Sequence, residues 1–155
     1  MRVPCAVLIA LGLIAGCAAA PLRPSPVAPA AAGAGLGARA ATLASGLIGT
    51  PYRYGGRSRA GLDCSGLVFY VYRELGLAVP RTAAEQRAAA VPVAAEALRP
   101  GDLVFFYTPE DHVGVYLGNS EFVHAPASGR PVERARLDSP FFILGFAGGG
   151  RLAGP

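Results

Sequence analysis

The 155-residue sequence contains no lysine: all fourteen of its basic residues are arginine, set against ten acidic residues for a formal net charge of +4. The arginines are scattered, and no basic run of five or more occurs, so the pattern of a nucleic-acid-tracking surface is missing and only a mild attraction to anionic polymers remains. No internal repeat and no second domain is visible. Cysteine is scarce, at three residues, and histidine scarcer still, at two. Any chemistry built on a thiol and an imidazole therefore has few residues to choose from.

The three cysteines occupy different settings. Cys5 and Cys17 bracket the apolar run Val7 to Ala15 behind a single basic residue, Arg2. The run is too short to span a bilayer and fits a signal-peptide core, which implies export. Its end, "IAGC" (Ile14 to Cys17), resembles the bacterial lipobox, which makes residues 1–16 a lipoprotein signal peptide and Cys17 the lipidated N-terminus. An ordinary signal peptide is the plainer reading. Residues 17–35 are built from Ala, Pro and Gly, offer little to bury and read as a disordered tether. Residues 36–155 then form one domain with one core.

Cys64 is alone in that domain. An exported protein that used thiols for stability would pair them, so a single thiol invites a functional reading, with a buried structural cysteine as the alternative.

Helical spacing appears first, over Gly37 to Ile48 with Gly49 as the stop. It recurs from Cys64, where Leu67, Val68, Val71, Tyr72 and Leu75 form one stripe ended by Gly76. A third helix starts at Thr82, where Glu85 three residues on completes a capping box. After Pro100 come short apolar runs: Asp102 to Tyr107, His112 to Gly118, Glu121 to Ala125 and Phe141 to Ala147. These read as antiparallel strands, giving an α+β domain with helices on one face of a meander.

Cys64 falls in the first turn of its helix, where the positive end of the dipole favours a thiolate. The only histidines, His112 and His124, lie in adjacent strands of one expected hairpin. A three-residue connection, Gly118 to Ser120, pairs Gly114 with His124 and puts both rings on one face, about 5 to 8 Å apart. A two-residue turn would split them. Either ring could serve as the base on spacing alone.

Five segments, in order, resemble the NlpC-type cell-wall peptidases, a papain-like family of cysteine peptidases in bacterial envelopes. They are "PYRYGG" (Pro51 to Gly56), "DCSGLV" (Asp63 to Val68), "VPRTAAEQ" (Val79 to Gln86), "RPGDLVFF" (Arg99 to Phe106) and "HVGVYLGNSEFVHAP" (His112 to Pro126). The resemblance implies a papain-like α+β fold with N-terminal helices packed on an antiparallel sheet. It implies Cys64 as nucleophile, His112 as base and His124 as the residue that orients it. Tyr52 resembles a tyrosine that lines the site and helps the oxyanion, and Asp63 and Ser65 resemble residues that bind the free amine of a stem peptide. Arg53 or Arg81 would meet substrate carboxylates. Ala83 and Phe69 depart from the family's usual serine and glutamine.

The implied reaction is hydrolysis of the γ-D-glutamyl-diamino acid amide bond, usually to meso-diaminopimelate, in peptidoglycan stem peptides, with no cofactor and no metal. The expected setting is a monomer in the cell envelope, held by its lipid to the outer membrane and facing the periplasm, with no SH3-like or LysM-type wall-binding domain and no nucleic-acid partner. Three rival readings stand beside it. One cysteine and two histidines could ligate zinc; thiol-disulfide exchange lacks a second cysteine nearby; and a lipoprotein of this fold could bind peptidoglycan or a partner without cutting.

Overall fold

A computed structural model describes residues 35–107 and 111–152. The expected signal peptide, Cys17 and the linker up to Ala34 lie outside these residues. Three helices come first: α1 (Leu36–Ser45), α2 (Cys64–Glu74) and α3 (Ala83–Ala89). A small ribbon, β1 (Arg57–Ser58) with β2 (Gly61–Leu62), precedes α2. The main strands are β3 (Val91–Val93), β4 (Leu103–Phe106), β5 (His112–Gly118), β6 (Glu121–His124), β7 (Glu133–Arg136) and β8 (Phe146–Arg151), with a short helix α4 (Pro140–Gly145) before the last.

These six strands form one antiparallel sheet in the order β3-β8-β4-β5-β6-β7. The meander expected from the sequence is present as β4 to β7, but the chain then returns to insert β8 between β3 and β4. Alternation along the strands divides the core. Leu103, Phe105, Val113, Val115 and Val123 join Leu67, Val68 and Val71 of α2 and Ala40 and Ala44 of α1 on the helical side. Val104, Phe106 and Phe122 face the other way, where Phe142 of α4 and Phe146 cover them.

Two expectations are corrected. The run Phe141 to Ala147 is helical as far as Gly145 and enters a strand, β8, only at Phe146. Ser139, extended at φ −74° and ψ 146°, leads into Pro140 at the first helical position, and the Phe142 and Ile143 N–H groups both donate to the Ser139 carbonyl. A short helix results, and it lays Phe142 across Phe122 at 4.8 Å and Phe106 at 5.0 Å between ring centroids.

The β5–β6 connection is also different. Its turn has two residues, Asn119 and Ser120, both in the left-handed region at φ 52° and 61°, as a tight hairpin requires. The split of the histidines that a two-residue turn implies does not occur, because the register shifts between Tyr116 and Gly118 and leaves Leu117 as a bulge. Beyond it Tyr116 pairs with Phe122 and Val115 with Val123, the expected register. The extra residue sits in the strand instead of the turn.

Candidate active site

The site begins with a turn that α2 needs in order to start. Pro51 and Tyr52 run alongside β2, with the Arg53 N–H donating to the Leu62 carbonyl at 3.0 Å; the chain then turns back through Tyr54 and Gly55, which is left-handed at φ 71°. Asp63 ties this turn to the helix. Its Oδ1 accepts from the Gly66 N–H at 2.6 Å, capping α2, and its Oδ2 accepts from the Gly55 N–H at 2.8 Å.

Arg81 completes the support. Its two terminal nitrogens donate to both Asp63 oxygens at 3.0 and 2.7 Å, to the Ser65 hydroxyl at 2.9 Å and to the Gly56 carbonyl at 3.2 Å. This fork is committed inside the protein. Gln86, fully buried on α3, donates from its amide nitrogen to the Ser65 and Pro80 carbonyls at 2.9 and 2.8 Å. It holds the first turn of α2 from behind, a task its place in "VPRTAAEQ" does not reveal.

Cys64 is the first residue of α2, half-buried, and opens on a cleft of about 420 Å³ lined by Tyr52, Tyr54, Asp63, Ser65, Arg81 and Asp111 among others. Its thiol pKa is raised, first by burial and then by the Asp63 carboxylate; the backbone N–H groups of Val113, Ser65 and Cys64 itself pull the other way. Burial and the Asp63 carboxylate thus work against the lowering that the helix dipole alone suggests. The histidines line a separate cavity of about 510 Å³, with Arg130, Glu133 and Phe142.

The two histidines share the face that also carries Phe106, paired with His112 across β4 and β5. His112 Nε2 lies 2.8 Å from His124 Nδ1, with ring planes at 86° and centroids 5.0 Å apart. Aromatic rings fix this geometry: Phe106 lies 6.0 Å from His112, and Phe122 and Phe142 lie 5.1 and 5.4 Å from His124. Burial lowers the His112 pKa to about 4. It lowers that of His124 to about 3, with help from His112 and Arg130. Both rings are neutral at neutral pH. With Nε2 of His112 engaged by His124, only Nδ1 is left to accept a proton.

The sequence did not point to Glu133, whose Oε1 lies 3.6 Å from His124 Nε2 and which also pairs with Arg130. A strand reading "ERAR" carries no alternation of apolar and polar residues by which to find it. A larger cavity of about 590 Å³, lined by Leu36, Tyr72, Pro100 and Arg151 among others, includes neither Cys64 nor either histidine. No group of three or more His, Cys, Asp or Glu is placed to hold a metal ion among the described residues.

Known proteins share this arrangement of chain. The sequence is 42% identical over 116 residues to the murein DD-endopeptidase MepH of Escherichia coli, covering 70% of this chain and 43% of that one. It is 42% identical over 103 residues to the probable endopeptidase NlpC of the same organism, covering 63% and 66%. The chain spans about half the length, or less, of most of these relatives. An NlpC/P60 family protein from Bacillus cereus superposes with a TM-score of 0.70 at 32% identity, covering 74% of this chain and 39% of that one. The peptidoglycan hydrolase RipB of Mycobacterium tuberculosis superposes at 0.66 and 28%, covering 77% and 66%. The model of the NlpC/P60 family matches residues 49–148, a span that holds Cys64, both histidines and Glu133, and the chain belongs to that family.

Proposed function

We propose that this chain is a cysteine endopeptidase of the bacterial cell wall that hydrolyses the γ-D-glutamyl-diamino acid amide bond of peptidoglycan stem peptides. The observation that carries the reading is the pairing of the two histidines across β5 and β6, with His112 Nε2 2.8 Å from His124 Nδ1, in a domain whose one described cysteine, Cys64, opens α2. Because thiol and imidazole are both neutral at rest, proton transfer accompanies attack. As Cys64 Sγ bonds to the substrate carbonyl carbon, its proton passes to His112 Nδ1, and the charge that develops there is shared with His124.

The Cys64 N–H at the start of α2 and the Tyr52 hydroxyl receive the oxyanion. His112 then protonates the leaving amine. A water deprotonated by the same ring hydrolyses the thioester and restores the thiol. Tyr52, Asp63 and Ser65 line the wall that meets the amine end of a stem peptide, and Arg81, spent on Asp63, Ser65 and Gly56, holds that wall in place instead of meeting a substrate carboxylate.

Lipidation at Cys17 and attachment to the outer membrane facing the periplasm belong to the same proposal, supported by the "IAGC" segment. A second reading concerns the bond. The relative MepH is named a murein DD-endopeptidase, and its 42% identity supports cleavage at a D,D cross-link instead.

Digestion of defined muropeptides by the protein and by its Cys64→Ala variant, with products weighed by mass, separates these. Release of L-alanyl-γ-D-glutamate by the first alone supports the proposal; conversion of cross-linked dimers to intact monomers supports the D,D reading. Binding without any cleavage would overturn both in favour of a non-catalytic wall-binding protein.

A further inference from the structure

His124 Nε2 is buried and has no hydrogen-bond partner, which costs free energy unless something satisfies it. Its nearest acceptor is Glu133 Oε1 at 3.6 Å, a charge contact too long for a hydrogen bond. The sheet puts the two together by register, because His124 and Glu133 are directly opposite on β6 and β7 and share a face. We propose that Glu133 is the terminal positioning residue of the proton path, setting the tautomers of both imidazoles through His124. This rests on the cysteine-peptidase reading above.

The tautomers follow in sequence. To accept a proton from Cys64, neutral His112 must be bare at Nδ1 and carry its hydrogen on Nε2. That hydrogen is donated to His124 Nδ1 across the 2.8 Å contact. His124 must then carry its own hydrogen on Nε2, aimed at Glu133. A carboxylate at that point selects this arrangement over its reverse, in which His112 could not act as a base.

When the S–H bond of Cys64 breaks and the Nδ1–H bond of His112 forms, positive charge appears in the pair. Glu133 closes from 3.6 Å onto Nε2–H and stabilises that charge. The groups facing His124 are His112 from β5, Glu133 from β7, Arg130 from the loop before β7, and the uncharged rings of Phe122 and Phe142. Arg130 also pairs with Glu133 and holds the carboxylate near the ring until it is needed.

The test uses nitrogen-15 NMR of the histidine rings in the whole protein, beside muropeptide cleavage kinetics, for wild type, Glu133→Ala and Glu133→Gln. Wild type is expected to carry the His124 hydrogen on Nε2 and the His112 hydrogen on Nε2. Glu133→Ala should mix or reverse these states and lower kcat roughly 10- to 100-fold at unchanged KM, by analogy with the loss of a carboxylate partner from a metal-bound imidazole. Glu133→Gln, which keeps an oxygen acceptor, should restore the tautomers and part of kcat. Unchanged tautomers in Glu133→Ala would overturn the proposal. So would full activity of that variant while Cys64→Ala is inactive. If the wild type cleaves no stem peptide, the peptidase reading fails alone, and the NMR arm still decides the role of Glu133.

Discussion

Gly66 rests against Gly56 so closely that a Cβ at position 66 would stand 1.9 Å from the Gly56 carbonyl oxygen and 2.8 Å from Asp63 Oδ1. The obstruction is backbone, which has no rotamer by which to yield. This contact seats the first turn of α2 against the Tyr54–Gly56 turn and so fixes where Cys64 points. Gly66→Ala is expected to destabilise the fold by about 3 kcal/mol or more, at the upper end of overpacking costs. A denaturant midpoint that places the variant within about 1 kcal/mol of wild type would show that the turn moves freely.

Arg81 and Asp63 make a two-pronged ion pair whose side chains are 29% and 12% exposed. Removing the guanidinium leaves a mostly buried carboxylate held only by the Gly55 and Gly66 N–H groups and a long contact with the Ser65 hydroxyl. Arg81→Ala should cost about 2 kcal/mol, below the range for fully buried pairs because water reaches this one. Arg81→Lys should recover little, since a point charge cannot reach Asp63, Ser65 and the Gly56 carbonyl together. Calorimetric melting of the three proteins decides it; a lysine variant as stable as wild type would refute the geometric argument.

Acid stability should depend on the histidines. In the unfolded chain they titrate near 6.5, whereas burial holds them at about 4 and about 3 in the folded protein. Below pH 6.5 the unfolded state therefore binds more protons. The stabilisation is complete above that pH and is lost as pH falls through about 4 for His112 and about 3 for His124. Urea midpoints should drop steadily from pH 6.5 to 4, and His124→Gln should show a shallower drop; equal slopes would contradict it.

Thiol reactivity offers a separate check on the resting state. Burial and Asp63 raise the Cys64 pKa above its ordinary 9.0. Alkylation of Cys64 by iodoacetamide, followed by peptide mass mapping, should be slow at pH 7 and still rising beyond pH 9. A reactive plateau between pH 5 and 8 would instead reveal a preformed thiolate-imidazolium pair.

Helix signals were legible in the sequence because they are local. Thr82 and Glu85 form the reciprocal capping box their spacing announces, and the stripe of Leu67, Val68 and Val71 is the buried side of α2. The hairpin that brings His112 to His124 was legible in outcome but not in detail, since a bulge at Leu117 and a longer turn leave the same register beyond it.

What stayed hidden depends on neighbours far along the chain. β8 reads "FAGGGR", poor in strand formers, yet a Cβ on Gly149 would lie 2.8 Å from the Val93 carbonyl oxygen and one on Gly150 2.7 Å from the Ala90 Cβ. Glycine is there because β8 passes closely between its neighbours. Phe141 to Leu144 have the composition of a strand but fold as a helix to cap the second apolar layer, and β7 is a strand through pairing alone.

The edges of the sheet carry one more consequence. An open strand edge is a template on which another chain can add a strand. Here the outer strand at one side, β7, is charged along its length, with Arg134 paired to Glu121 and, just past the strand, Asp138 paired to Arg136. The outer strand at the other side, β3, has three residues with Pro92 at its centre, which has no N–H to offer. Copies of this domain crowded together would thus find neither margin suited to continuing the sheet, and fibrillar stacking is obstructed at both ends by side-chain chemistry alone.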